Sequence, residues 1–156
     1  MALHQLNSFI LTAVAYLLAE SLQSELQFKR SKATLLFLLV AMTGAIAALA
    51  ATLFPSTSLW QGILQDFGSD THLFLRLRVL HPILALIGMG SLIYYFHNKG
   101  NTRLAFEIFV AILIGVLTLL TLSPTWLKLS HLLMGHYLWC RILYCQFIGL
   151  KQPVKI

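Results

Sequence analysis

The sequence predicts an all-helical integral membrane protein, and three observations carry that prediction. Hydrophobic residues make up 58% of the 156 and charged residues only 10%, whereas about a quarter of a water-soluble domain is charged. The apolar residues fall in continuous runs that approach or exceed the roughly 20 needed for a helix to cross a bilayer. The runs also lack the alternation over about ten residues that marks a transmembrane barrel.

Five spans are expected, in order. The first covers 3–19, "LHQLNSFILTAVAYLLA", and stands as one extra N-terminal helix within 1–20. The second covers 33–54, "ATLLFLLVAMTGAIAALAATLF", and Pro55 ends it by denying the next turn a backbone donor. Its Ala41, Gly44, Ala45, Ala47, Ala48 and Ala51 let a neighbouring helix approach closely. Close packing is sufficient to explain them, and no chemistry is assigned to this span. The third, fourth and fifth spans are expected over 74–96, 104–122 and 126–148, with Pro124 between the last two. Together the last four spans make a transmembrane bundle over 31–150. The connection 56–67, "STSLWQGILQDF", reads as an amphipathic segment at the outer surface, anchored by Trp60 and Phe67.

Charge orders the spans. Lys29, Arg30 and Lys32 follow the first, Lys99 and Arg103 follow the third, and Arg141, Lys151 and Lys155 accompany the end of the fifth. Asp66 and Asp70 fall on the opposite side. Basic residues concentrate on cytoplasmic loops, so the N-terminus is expected outside and the tail 151–156 in the cytoplasm of a multi-pass protein of the cell membrane. The formal charge of +6 therefore reports topology. No basic patch interleaved with aromatics suggests nucleic acid, so the bilayer is the expected surrounding and nucleic acid is not an expected partner. Cys140 and Cys145, five apart, fall on different helix faces, and no cleavable signal peptide is expected.

The six histidines are the chemistry-bearing residues: His4, His72, His81, His97, His131 and His136. His72 and His97 fall at span boundaries, where a polar ring is at ease. His81 and His131 fall inside the third and fifth spans, which run in the same direction. They lie at matching depths of roughly 10–13 and 8–10 Å from the outer end. Two imidazoles at one depth on different helices suit a haem iron held on its two axial sides. Zinc would want about four ligands, and no thiol or carboxylate joins the pair. An ion pathway and an interhelical hydrogen-bond network remain open beside the haem reading. His136 is five residues from His131, about 140° round the helix, and does not share a ligand with it. Arg78, one turn before His81, is a candidate contact for haem propionates, with Arg76 or His72 assisting. Snorkelling to water explains the two arginines equally well. Pro82 frees a backbone carbonyl and makes room beside the histidine.

Several stretches resemble the haem A synthase family: "TGAIAALAATLFPS" (43–56), "FLRLRVLHPILA" (74–85) and "SPTWLKLSHLLMGHYLW" (123–139), in the order of that family's C-terminal half. "LHQLNSFILTAVAYLL" (3–18) is similar to the last helix of its N-terminal half. The resemblance implies a four-helix haem-binding bundle preceded by one helix. It implies oxidation of a haem O methyl to the formyl of haem A, for cytochrome oxidase assembly, by an oxidoreductase. It implies His81 and His131 as the iron ligands of a haem b, and His4 as a ligand at a second haem site. Haem O and haem A would be substrate and product. The chain departs from the family in lacking any E-x-x-H motif, so catalytic residues are unassigned, and Arg78 stands where that glutamate would be. His136 stands where a carboxylate is expected. A haem b-binding half is therefore expected, incomplete for catalysis without a separate N-terminal half or a second copy. The alternatives are a non-enzymatic haem b protein or remnant, and a haem-free bundle.

Overall fold

The computed structural model of the chain describes residues 2–22 and 31–147. Lys29, Arg30, Lys151 and Lys155, used above for topology, lie outside the described residues, as does the tail 151–156. The elements are α1 (Ala2–Ser21), α2 (Lys32–Leu53), α3 (Leu59–Phe67), α4 (Leu73–Asn98), α5 (Thr102–Leu120) and α6 (Thr125–Phe147), with no strand among the described residues. Polar side chains close the N-terminal turns by accepting orphan backbone N–H groups. Ser31 Oγ accepts from Ala33, Ser58 Oγ from Gln61 and Asn101 Oδ1 from Leu104. His72 does the same through Nδ1, 3.2 Å from the Phe74 N–H. That is its role at the head of α4.

The helices α2, α4 and α5 are long and apolar enough to cross a membrane. The protein is a membrane protein on that ground. α1 and α6 match them in length, with 20 and 23 residues. α4 runs unbroken through Pro82 over 26 residues, or about 39 Å.

α5 stops two residues short of the expected 122. There Leu122 and Ser123 take left-handed backbone, with φ of 58° and 59°. Ser123 N–H returns to the Thr118 carbonyl at 2.7 Å. The following Pro124 disfavours a helical Ser123, so the chain reverses here into α6.

Helix contacts close a ring. α2 packs on α4, α4 on α5, α5 on α6, and α6 returns to α2. α4 and α6 thus face each other across the ring and run in the same direction. α1 lies outside it, against α6 and α2, while α3 touches α4 at one end. The contiguous hydrophobic core fills the end of the ring away from α3. It joins Phe37 and Val40 of α2, Met89, Leu92 and Phe96 of α4, Leu104, Ile108 and Ala111 of α5, and Leu138, Trp139, Ile142 and Leu143 of α6. Phe9 brings α1 into this cluster: it meets Phe37 edge-on at 6.0 Å, and its carbonyl accepts from the Trp139 indole at 2.9 Å. In the α3 half, Ala45, Ala50, Leu75 and Leu127 are buried outside that cluster.

Candidate functional site

The less densely packed half of the ring, beside α3, holds His81 and His131. His81 is eight residues into α4 and His131 six into α6, about 12 and 9 Å along their helices. Both rings are half-buried.

Each imidazole lies in a notch left by a glycine on the adjacent helix. A Cβ added to Gly44 of α2 would come within 2.9 Å of His81 Cε1. A Cβ added to Gly115 of α5 would come within 3.0 Å of His131 Cε1. No ordinary carbon contact is as close as 2.9 Å, so a larger residue at Gly44 would displace its ring. The same motif, a histidine edge on a glycine, therefore occurs twice, on α4 with α2 and on α6 with α5.

The two rings differ in their partners. Thr43 Oγ1 lies 3.2 Å from His81 Nδ1 and gives its own proton to the Val40 carbonyl at 2.8 Å. A hydroxyl has one proton, so the imidazole must supply the other, and His81 carries its hydrogen on Nδ1. The Nε2 lone pair is left free. His131 Nδ1, by contrast, is buried with no hydrogen-bond partner among the described residues.

Two imidazoles on facing helices would be a donor set suited to a haem iron. An imidazole buried with an unpaired nitrogen fits a site that takes up a group better than it fits a closed apolar core. No group of three or more His, Cys, Asp or Glu side chains that could hold a bare metal ion occurs among the described residues.

The other sequence candidates sit elsewhere. Arg78 is committed to α3: its Nη2 lies 2.6 Å from Asp66 Oδ1, with both side chains about 15% exposed. Its remaining donors reach the carbonyls of Phe54 at 3.4 Å and Gly62 at 3.2 Å. It straps α3 across the ends of α2 and α4. Arg76 donates to the Ser69 carbonyl at 3.1 Å. His4 is exposed in the first turn of α1, and His97 is exposed at the end of α4. His136 turns away from His131 and serves α1, with Ser8 Oγ and Thr12 Oγ1 each 3.3 Å from its ring nitrogens and Phe9 stacked on it at 4.4 Å.

Sequence reasoning missed three contributors to the pair. Gly44 was read as helix packing alone, Thr43 and Gly115 were given no role, and α2, assigned no chemistry, in fact supplies the partner of His81. It also missed Glu107, which gathers Arg141 at 3.1 Å, Arg103 at 3.2 Å and Tyr137 at 3.0 Å at the far end of the ring. The signal available for Glu107 was a lone carboxylate in an apolar run, four residues after Arg103.

No protein-family profile matches the chain, and no solved structure matches it. Among curated proteins, it is 28% identical over 132 residues to the protoheme IX farnesyltransferases of two strains of Thermus thermophilus. The match covers 78% of this chain and 22% of those proteins, so the chain spans about a fifth of their length. These relatives correct the resemblance drawn above. They are named for transferring a farnesyl group to protohaem, and neither is named a haem A synthase. The expected oxidation of haem O to haem A, and with it the oxidoreductase and haem A assignments, is therefore overturned. The misassignment has a physical root. Histidine-bearing apolar helices with small-residue faces report how helices pack, and packing does not specify a reaction.

Proposed function

We propose that this chain is a membrane-embedded haem-binding module, a four-helix bundle of α2, α4, α5 and α6, that grips a protohaem (haem b) between His81 and His131. The observation that carries the reading is the pair of half-buried imidazoles on facing helices at one depth, each set in a glycine notch. When bound, the haem would supply an iron centre with two nitrogen ligands. The residues of the chain would hold and orient it, and the apolar spans would keep water from its faces.

The relatives support the choice of macrocycle, because their printed activity concerns protohaem. The module would present protohaem within a protein that processes it. The remaining four-fifths of such a relative has no counterpart here, so the transfer step is not assigned to these residues. α1 and α6 would join α2, α4 and α5 as spans. With Lys99, Arg103 and Arg141 towards the cytoplasm, the site and α3 would lie in the outer half of the bilayer and the N-terminus outside.

A haem-free bundle is the competing reading, with His81 tying α4 to α2 through Thr43. It gives no reason for the second notch, on α5 against His131. The test is a reduced-minus-oxidised spectrum of the purified chain after haem supplementation, beside His81→Ala and His131→Ala. Low-spin b-type bands in the parent, changed by each substitution, are expected. Bands that survive both substitutions unaltered, or a parent that takes up no haem, would sink the proposal.

A further inference from the structure

The two histidines would not be equivalent ligands. The geometry points to a clamp in which His81, held by Thr43, is the ligand that stays, and His131 is the ligand that yields its place to an incoming small molecule. This rests on the haem-binding reading above and adds a direction to it.

A metal-bound histidine is oriented and made more basic by what its second nitrogen donates to, and losing that partner typically costs 10–100-fold in affinity. His81 has such a partner. The Thr43 hydroxyl is oriented by the Val40 carbonyl and accepts from Nδ1 at 3.2 Å. Val40 is 6% exposed and belongs to the hydrophobic core, so the partner is anchored to the packed half of the molecule. His131 has none of this: its Nδ1 is buried and unpartnered, so nothing selects its tautomer or holds its plane. It stands eight residues from Ser123, which with Leu122 has the only positive-φ non-glycine backbone among the described residues. Thr43 is accordingly a positioning residue, acting on haem through His81.

The experiment uses the full chain in detergent, loaded with haem, reduced, and titrated with carbon monoxide as the probe. Helix content is followed by circular dichroism. The parent is expected to show low-spin bands that carbon monoxide replaces. His131→Ala is expected to keep its haem, pass to a five-coordinate spectrum and bind carbon monoxide more tightly than the parent. His81→Ala is expected to lose at least tenfold in haem affinity. Thr43→Val, which preserves volume, is expected to lose about 10–100-fold, and Thr43→Ser to recover most of it. That pair carries the comparison if His81→Ala does not fold. Haem retained by His81→Ala and lost by His131→Ala would overturn the inference, as would Thr43→Val binding haem like the parent. So would equal losses in the two histidine variants, with low-spin bands in the parent leaving the haem-binding reading intact. A parent that takes up no haem would overturn both.

Discussion

The two ends of the helix ring are built on opposite plans. Away from α3, large side chains interlock: Leu92, Leu104, Ile108, Leu138 and Ile142 are essentially inaccessible, with Phe9, Phe37 and Trp139 packed face and edge among them. Near α3 the helices meet through glycine and alanine against imidazole, and polar contacts replace apolar bulk. Lipid tails are as apolar as leucine, so helices in a membrane gain little from apolar burial alone and associate through close packing and hydrogen bonds. The first end supplies packing. The second forgoes it beside His81 and His131, and is held by Arg78 and Thr43 instead. A protein that keeps one end rigid can leave the other able to receive a ligand.

The contrast can be broken from either end. The largest effect on stability is expected from Leu138→Ala, which empties a fully enclosed position in the packed end and should cost about 2–3 kcal/mol. Thermal unfolding in detergent would show it, with haem affinity nearly unchanged. An equal loss of haem affinity would mean the two ends are not separable. Next, Arg78→Gln should cost about 1–2 kcal/mol by leaving Asp66 and the Phe54 and Gly62 carbonyls without their donor. It should also free α3, read as faster proteolysis within 56–71.

A glycine pair sharpens the contrast further. Gly90 has nothing within 4 Å of an added Cβ, so Gly90→Ala should stabilise its helix by up to about 1 kcal/mol. Gly44→Ala has the same helix-propensity gain, yet its Cβ meets His81, so it should lower haem affinity about tenfold while helix content holds. If the two substitutions behave alike, the notch is not a ligand-positioning feature. The smallest effect is expected from Ser123→Gly. It removes a side chain from left-handed backbone and should raise stability by about 0.5–1 kcal/mol at most, read as a shift in melting temperature.

Much of this organisation was legible in the sequence, and particular residues show where legibility stopped. Pro55 and Pro124 marked helix ends because a missing N–H acts locally, whatever the tertiary context. The equal depth of His81 and His131 followed from helical rise alone, and the 140° between His131 and His136 already separated their roles. Arg78 was open between propionate and water, and its partner Asp66 was beyond reach because it lies 12 positions earlier, across the loop between α3 and α4. Gly44 and Gly115 were illegible for another reason. A small residue on a membrane helix looks the same whether a backbone or a ring fills the space beside it.

The sequence by itself determined that the chain is helical, that it is a membrane protein and that two histidines stand at one depth. Each follows from hydropathy, proline and the fixed rise of the helix, which are properties of single segments. Only the tertiary structure decided that α4 and α6 face one another, that Thr43 engages His81 while His131 goes unpaired, and that Arg78 belongs to α3. Those depend on how helices rotate and pair, and rotation is set by the fit of whole faces, which no one segment carries.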